Sequence, residues 1–597
     1  MAFIPDVIPK LLRNVVSTIR SENDAFLMHK KGLTWEEISY KQTLENADAV
    51  SSYLIDVGIQ KGDRIGFILE NSPEYIFYDQ GLQQIGAINV SIYPTLSENE
   101  IEYILLDSGV KALLVGNPYL LKKILKIANS CPELIRIIPI FDDYEKHIQT
   151  TNINAGITSF ATVLGEGKKC YPTHKRAIDA ARESIIPSDL SALIYTSGTT
   201  GVPKGVMLSH HNFVENVRAS LEQIPVVDKE DVFLSFLPLS HVFERTATYH
   251  VCITVGCKIA FSQSLELLAK NMTEVMPTVM SCVPRLLERI HDKAIKAGTQ
   301  AGGAKAKIFL WALETGKKYR ESKEAGKSPG LLLSAQQKLA EKLVFNKIKE
   351  KTGGRLKFFL SGGAALPKNV GEFFGNLGIK VLEGYGLTET SPVLAVTEYH
   401  RQIFGTVGRV IPGIEIGIQD VETKNMLAIQ TNHSFNPLFE CEEGEILARG
   451  HCVMKGYWNK PEETEATLRD GWLLTGDLGY MDDKGYFYVV DRKKDMIIAS
   501  GYNIYPREVE EVLYEHPKVQ EAVVVGVPHE YRGETVKAFV VLKQGEQCTE
   551  EELDQFMRSR LAAYKVPRIY EFRKELPKTA VGKILRRALL EEEMKKE

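Results

Sequence analysis

The sequence predicts an α/β protein with a large N-terminal body of mixed sheets and helices and a small α+β domain at its C-terminal end. At 597 residues the chain is too long for one compact core. Strand and helix patterns alternate between about residues 33 and 115, which is typical of a parallel sheet. A separate block of helices and strands follows the charged run D-R-K-K-D at residues 491–495, so we predict domains 1–493 and 494–597.

Composition and charge exclude several classes of protein. Apolar residues make up 44% of the chain, charged residues make up 25%, and the net charge is −4, so nothing favours nucleic acid as a partner. The eight cysteines show no zinc-site spacing, and we expect Cys252 and Cys257 to be buried thiols. No apolar run has membrane-spanning length and the first residues lack a signal-peptide core, so we predict a cytoplasmic protein.

The first half of the chain predicts helices and strands in alternation. Residues 8–19 carry apolar side chains at helical spacing. Such a helix could lie on a membrane surface, but it more often packs on its own domain, and we expect the second. Residues 45–55 predict a helix, whereas residues 63–69 and 110–115 predict strands. Residues 116–187 are less regular and support no functional inference.

The stretch Y-T-S-G-T-T-G-V-P-K-G-V at residues 195–206 lies between two short apolar runs, which predicts two buried strands joined by a loop. Glycines let backbone N–H groups converge on one point, hydroxyls add donors and a lysine adds a cation, a combination that suits a polyphosphate. The loop lacks the Gly-Lys-Ser/Thr of a Walker A motif. The alternative, a flexible surface linker, is disfavoured by the apolar flanks. The candidate residues are Thr196, Ser197, Gly198, Thr199, Thr200, Gly201 and Lys204.

The motif F-L-S-F-L-P-L-S-H-V-F-E-R at residues 233–245 follows a helix that Ser209 should cap. It places His241 on a turn after a strand. A lone histidine is usually structural, so this position by itself does not indicate catalysis.

Residues 291–357 predict helices with a loop in the middle. The segment holds sixteen basic and six acidic residues, a net charge of +10 within a chain of net −4. That asymmetry could attract anionic lipid headgroups or an acidic carrier, and a solvated helical face explains it equally well.

Two further glycine-bearing turns follow predicted strands, S-G-G-A at residues 361–364 and G-Y-G-L-T-E-T at residues 384–390. Together with the first loop they are what a ligand crevice at the strand ends of an α/β sheet requires. Glu389 could hold Mg²⁺ on bound phosphates, because a hard cation prefers carboxylate oxygen. Tyr385 offers a flat face to a nucleobase.

The C-terminal quarter carries two candidate sugar ligands and a candidate catalytic lysine. Asp477, in Thr-Gly-Asp, could accept from two ribose hydroxyls, and Arg492 could donate to the same sugar or to a phosphate. Beyond residue 495, helix and strand patterns predict a small α+β domain. Near its end, E-L-P-K-T-A-V-G-K at residues 575–583 places Lys583 on a loop.

These motifs together resemble the adenylate-forming superfamily, and the resemblance covers essentially the whole chain. The matching motifs, in the family's order, are Y-T-S-G-T-T-G-V-P-K-G, G-Y-G-L-T-E-T, T-G-D, D-R-K-K-D and P-K-T-A-V-G-K. Residues 236–245 and 470–494 are most similar to long-chain fatty acyl-CoA synthetases, and residues 291–357 resemble an insertion in that subgroup. The resemblance implies that the C-terminal domain is a mobile lid.

The resemblance implies a nucleotide site with four parts. The first loop would wrap the β- and γ-phosphates of ATP, and the turn at residues 384–390 would hold the α-phosphate and Mg²⁺. The two glycine turns would bracket adenine, and an acid with an arginine would hold ribose. The residues implied are Thr196 to Gly201, Lys204, Gly362, Gly363, Ala364, Tyr385, Gly386, Thr388, Glu389, Asp477 and Arg492.

The resemblance also implies acyl, hinge and thiol positions. His241 would lie beside the acyl carboxylate, Lys583 would bridge that carboxylate and the α-phosphate, and Lys494 would be the hinge. Some bacterial relatives carry an aromatic gate of the acyl tunnel four positions after the histidine; here that position is Arg245, so the gate does not carry over. The residues beside the entering CoA thiol would be Ser500, Gly501 and Tyr502.

The implied reaction has two halves. A fatty carboxylate attacks the α-phosphorus of MgATP to give acyl-AMP and pyrophosphate, and the thiol of coenzyme A then displaces AMP. The expected partners are therefore ATP, Mg²⁺, coenzyme A and a fatty acid. For residues 291–357, contact with an anionic membrane surface and a solvated helical face stay open as alternatives. Three alternatives stay open: an acyl-AMP ligase that loads a carrier protein, a medium-chain, aryl-CoA or luciferase-type ligase, and a fatty-acid-binding protein without catalysis.

Overall fold

The computed structural model of the protein describes residues 3–148, 153–197, 202–300, 302–431, 443–499, 502–529, 533–578 and 584–595. Within these residues the chain forms four β-sheets with helices packed against them, which confirms the predicted fold class. We call residues 1–493 the large domain and residues 494–597 the small domain; the boundary itself stays a prediction. In the described ranges, no helix combines the length and apolar character needed to cross a lipid bilayer.

The largest sheet has nine strands, and its central strands run parallel. The carboxyl ends of neighbouring parallel strands meet at one edge, where ligands of such sheets bind. The strands, in spatial order, are β16 (Arg409–Val410), β15 (Val393–Val396), β14 (Lys380–Gly386), β13 (Phe358–Ser361), β12 (Val279–Cys282), β10 (Val232–Ser235), β11 (Lys258–Phe261), β1 (Ala25–Lys31) and β2 (Thr34–Ser39).

A second, seven-stranded sheet is parallel except for its last pair. Its strands are β7 (Gly156–Ile157), β6 (Arg136–Pro139), β5 (Val110–Val115), β3 (Arg64–Ile68), β4 (Ile88–Ser91), β8 (Leu190–Ser197) and β9 (Pro203–Ser209). The strands predicted at residues 63–69 and 110–115 are confirmed as β3 and β5. The glycine-rich loop joins the antiparallel pair β8 and β9, as predicted.

Two smaller sheets complete the fold. The six-stranded sheet contains β18 (Met426–Thr431), β17 (Ile414–Gln419), β19 (Gly444–Gly450), β21 (Trp472–Met481), β20 (Leu468–Arg469) and β22 (Phe487–Arg492). The five-stranded sheet belongs to the small domain and contains β24 (Tyr502–Ile504), β23 (Ile497–Ala499), β26 (Gly533–Leu542), β25 (Val519–His529) and β27 (Ile569–Phe572).

The helices cover the faces of these sheets. Those of the first half are α1 (Ile8–Thr18), α2 (Tyr40–Asp56), α3 (Pro73–Gln84), α4 (Glu98–Ser108), α5 (Pro118–Ile127), α6 (Phe160–Ser184), α7 (His210–Gln223), α8 (Val242–Glu244), α9 (Val251–Val255) and α10 (Leu268–Val275). Those of the second half are α11 (Pro284–Gln300), α12 (Gly303–Glu324), α13 (Leu331–Ala340), α14 (Asn346–Lys351), α15 (Lys368–Asn376), α16 (Pro461–Thr467), α17 (Pro506–Glu515), α18 (Glu550–Arg558) and α19 (Arg586–Met594).

The apolar stripe of the N-terminal helix α1 packs on its own domain. Ile8, Leu11, Leu12 and Val15 are all buried. Val16 and Ile19 are partly buried and pack against the same core. The expectation that residues 8–19 pack on their own domain is therefore confirmed.

Three further local predictions hold. Ser209 caps α7 through a reciprocal capping box with Asn212. The helices predicted in residues 291–357 form with a break between α12 and α13. Cys252 and Cys257 are buried free thiols.

Candidate active site

The β8–β9 hairpin places the two ends of the glycine-rich loop side by side. Thr196 lies opposite Lys204 in the ladder, and the buried neighbours Tyr195 and Gly205 are themselves paired beside them. The loop itself, Gly198 to Gly201, lies outside the described residues. The Nζ of Lys204 lies 5.1 Å from the centre of the Tyr457 ring, so the ring face supports the ammonium group at the loop's base.

Tyr457 also contacts the predicted magnesium ligand. Its O–H donates to Oε1 of Glu389 at 2.8 Å. Glu389 lies on the short 3₁₀ turn Thr388–Thr390 directly after β14. Its other oxygen, Oε2, makes no hydrogen bond within the described part of the chain. A single oriented carboxylate fits Mg²⁺ that is held mainly by substrate phosphates and water.

Residues 454–458, which we call the linking segment, join the loop hairpin to the Glu389 turn through backbone hydrogen bonds. Met454 N–H donates to Glu389 O at 2.8 Å, Met207 N–H donates to Gly456 O at 3.0 Å, and Trp458 N–H donates to Gly205 O at 2.7 Å. The predicted phosphate loop and the predicted metal ligand are therefore held in register. This segment was not predicted, because the run G-Y-W-N at residues 456–459 looks like an ordinary surface loop.

The glycine turn after β13 lies over the motif that contains His241. The Gly362 N–H donates to Cys282 O at 3.1 Å, and a Cβ at Gly362 would lie 3.2 Å from the Phe243 ring. Gly363 adopts a φ of +80°, which favours glycine. At the end of the next strand, a Cβ on Gly386 would lie 1.6 Å from Pro392 O, so only glycine fits there.

Asp477 is held between two side chains. The O–H of Tyr385 donates to its Oδ2 at 2.8 Å, and Nε of Arg492 lies 2.8 Å from its Oδ1. Asp477 and Arg492 are ladder partners on β21 and β22. Although burial alone would lower it, the charge of Asp477 holds the pKa of Arg492 above its ordinary value. The predicted sugar ligands are thus brought together, and Tyr385, predicted only to face a base, also orients the carboxylate.

His241 begins the short helix α8 and caps it. Its Nδ1 accepts a hydrogen bond from the Phe243 N–H at 3.1 Å. The neutral ring therefore carries its proton on Nε2, which makes Nε2 a donor. A donor at this position suits an anionic carboxylate.

Arg245 belongs to a fully buried polar network. Its Nη2 lies 2.7 Å from Oδ1 of Asp79, and its Nη1 donates to the Tyr75 hydroxyl at 2.9 Å. Tyr249 O–H donates to the other oxygen of Asp79 at 2.9 Å. A charge pair removed from water and fixed by several hydrogen bonds does not swing as a gate would.

Glu244, the neighbour of Arg245, is buried, and no cation of the described residues pairs with its carboxyl group. Ser235 Oγ donates to its Oε1 at 2.6 Å. Burial raises the pKa of Glu244 to about 8. The carboxyl group is therefore mostly protonated at neutral pH.

The described residues leave some small-domain predictions open. Lys494, the predicted hinge, is exposed on the turn Lys493–Asp495. Tyr502 stacks on Tyr564 with ring centres 4.7 Å apart. The remaining predicted positions, Ser500, Gly501 and Lys583, lie outside the described residues.

Comparison with known proteins identifies relatives along the whole chain. Residues 19–458 match the family described as AMP-binding enzyme, and residues 508–583 match the AMP-binding enzyme C-terminal domain. The long-chain-fatty-acid–CoA ligase of Bacillus subtilis (strain 168) is 38% identical over 610 residues, covering 99% of this chain and 96% of that protein. The long-chain-fatty-acid–CoA ligase of Yersinia pestis is 32% identical over 579 residues, covering 94% of this chain and 91% of that protein. The crystal structure of ATP-bound MatB from Rhodopseudomonas palustris superposes with a TM-score of 0.73 at 25% identity, covering 98% of both chains.

Replacing Glu244 by glutamine should make the stability of the folded protein less sensitive to rising pH. The folded state keeps the proton up to about pH 8, whereas the unfolded chain releases it near its ordinary value of 4.5. Stability is therefore lost as pH rises through this window, by roughly 1.4 kcal/mol per pH unit at most. Melting temperatures should be measured between pH 5 and pH 9. The Tm of the Glu244→Gln variant, relative to that of the unmodified chain, should increase as the pH rises. The exposed Glu222→Gln serves as control; a gain that is constant with pH would contradict the assignment.

Proposed function

Because the chain belongs to the AMP-binding enzyme family, we propose that it is an AMP-forming ligase that joins a long-chain fatty acid to coenzyme A. The observation that carries the proposal is the Tyr385–Asp477–Arg492 network, in which a buried carboxylate is oriented at the strand ends to accept from a ribose. The linking segment holds the phosphate loop and Glu389 in register beside it. The near full-length coverage of the ligase relatives supports the same activity.

In the first half-reaction the fatty carboxylate attacks the α-phosphorus of ATP and pyrophosphate leaves. A carboxylate is a weak nucleophile and negative charge accumulates, so positioning and cationic stabilisation dominate. Lys583 bridges the carboxylate and the α-phosphate, and His241 donates from Nε2 to the carboxylate. Mg²⁺, held by Glu389 and the phosphates, would neutralise charge on the leaving group.

In the second half-reaction the thiol of coenzyme A attacks the acyl carbonyl carbon, and AMP leaves. The small domain turns about Lys494, which withdraws Lys583 and brings the Ser500–Tyr502 stretch to the thiol entrance. The exposed position of Lys494 supports this hinge, because a backbone rotation there disrupts little packing.

The decisive activity test is CoA-dependent AMP release across saturated acids of increasing length. We expect the highest kcat/KM with long-chain acids. Transfer of the acyl group from acyl-AMP to a carrier protein instead of CoA, with release of AMP, would favour the acyl-AMP ligase alternative. A preference for aromatic or medium-chain acids would favour the others. If no acid causes release of pyrophosphate from MgATP, only the alternative of a fatty-acid-binding protein without catalysis remains.

Lys583→Ala should lose roughly 100-fold or more in acyl-AMP formation, as expected for a charge donor that acts in the transition state. It should retain most of the thioester formation from supplied acyl-AMP. The two half-reactions are measured separately, with the exposed Lys574→Ala as a matched control. Lys494→Pro should show the opposite bias, with a larger loss in thioester formation than in acyl-AMP formation. Equal loss in both half-reactions of Lys583→Ala would rule out the assigned role.

We also propose that helices α12 and α13 contact an anionic membrane surface. Leu331 and Leu332, at the start of α13, are 94% and 75% exposed. Lys338 and Lys342 follow on the same helical stretch, inside the segment of net charge +10. A solvated face explains the lysines but not the exposed leucines, whereas a lipid headgroup layer accommodates both.

The membrane proposal predicts binding to vesicles that contain an anionic phospholipid and weaker binding to neutral phosphatidylcholine vesicles. The double variant Leu331→Ser/Leu332→Ser should reduce co-sedimentation several-fold, because it removes inserted apolar side chains. Leu33→Ser, at a position that is 90% exposed, is the matched control and should bind normally. Equal binding by all three proteins would refute the assigned surface.

A further inference from the structure

A buried carboxylate links the two domains across the crevice. Glu521, on β25 of the small domain, has a side chain that is 5% exposed. It accepts a hydrogen bond from Nη2 of Arg285 in the large domain and, at 2.8 Å, from Nζ of Lys578 in the small domain. One carboxylate thus neutralises a cation from each side.

Arg285 lies beside the turn proposed to contact adenine. It is the second residue of α11, which begins directly after β12. The last residue of β12, Cys282, accepts the hydrogen bond from the Gly362 N–H. The side chain of Val283, between them, lies 3.9 Å from the Cβ position of Gly363.

Lys578 lies at the base of the segment that contains the predicted catalytic lysine. It forms a β-bridge with Ile584, and Leu585 N–H donates to Pro577 O at 2.8 Å. These two contacts join residues 577–578 to residues 584–585, the described ends of residues 577–585, which we call the lysine segment. Fixing Lys578 therefore fixes the base from which this segment extends.

The surroundings of Arg285 favour a specific contact over a chance surface pair. Glu288, one turn along α11, holds the guanidinium at Nη1 with a 2.9 Å contact. Burial, and then the charge of Glu288, raises the pKa of Tyr514 in the small domain, so Glu288 lies within electrostatic range of α17. The side chains of Arg285 and Glu521 are both largely withdrawn from water, where a charge pair is stronger than on an open surface.

We propose that Glu521 is a positioning residue for acyl-AMP formation. By pairing with Arg285 it holds the base of the lysine segment beside the adenine turn. Lys578 and Glu521 move together when the small domain turns about Lys494, but Arg285 stays behind. The Arg285–Glu521 pair must therefore break when the small domain turns. Because the pair holds the base of the lysine segment beside the adenine turn, it stabilises the arrangement in which acyl-AMP forms. This inference rests on the proposed two-step function.

A purely structural role makes a different prediction. If the pair served only to stabilise the fold, its loss would lower stability and slow both half-reactions together. Removal of Arg285 leaves Glu521 paired with Lys578, so the small domain keeps its internal contact. Arg285→Met thus separates the two roles.

The experiment compares Arg285→Met, Glu521→Gln and the double variant in the full-length chain. Acyl-AMP formation, followed as pyrophosphate release, should fall about tenfold in Arg285→Met, as expected for one charge-assisted hydrogen bond. Thioester formation from supplied acyl-AMP should stay within about twofold of the unmodified chain. The double variant should lose no more than Glu521→Gln alone, because both changes break the same pair. Arg285→Lys should recover part of the loss.

Arg289→Met, an exposed arginine one turn along the same helix, is the matched control and should leave both half-reactions unchanged. Four outcomes would each overturn the proposal. In Arg285→Met they are unchanged adenylation, equal loss in both half-reactions, or selective loss of thioester formation. In the double variant it is additive losses. Melting temperatures check that every variant folds; if Arg285→Met does not, the comparison of Glu521→Gln with the unmodified chain decides. Absence of pyrophosphate release from the unmodified chain would instead refute the proposed function.

Discussion

The backbone hydrogen bonds of the linking segment are the constraint on which the nucleotide site depends. The phosphate loop belongs to the seven-stranded sheet, whereas the Glu389 turn belongs to the nine-stranded sheet. Because the two sheets share no strand, strand pairing alone does not fix their relative position. Hydrogen bonds from residues 454–458 to Gly205, Met207 and Glu389 supply that register. The segment buries its own polar groups in doing so, which satisfies the requirement that buried backbone groups be paired.

Three buried carboxylates of this protein are each held by more than one polar partner. Asp477 is shared by Tyr385 and Arg492, Asp79 by Arg245 and Tyr249, and Glu521 by Arg285 and Lys578. A carboxylate held from two sides keeps one partner when the other shifts to a substrate or to another domain arrangement. Glu244, which has a hydroxyl partner but no cation, instead keeps its proton.

Local chemistry was readable in the sequence, and long-range pairing was not. The loop hairpin, the cap at Ser209 and the glycine turns follow from residue type and spacing within a few positions, and all three were predicted. Tyr457 and Glu389 are separated by 68 residues, and Tyr385 and Asp477 by 92. Such contacts arise only when sheets pack, and neither periodicity nor composition encodes them. The same limit applies to Arg245, whose partner Asp79 lies on α3, and to Glu521, which looks like any charged residue of a strand.

Tyr457 touches both the loop lysine and the metal ligand, and the next residue is Trp458, whose indole N–H donates to Asp107 O at 3.0 Å. The indole is thus anchored in the wall of the phosphate pocket while its neighbour contacts both charges there. Any change in the charge of that pocket alters the electric field across this ring. Trp458 is one of four tryptophans in the chain. If a triphosphate binds here as proposed, the emission of this indole would report its binding without a label.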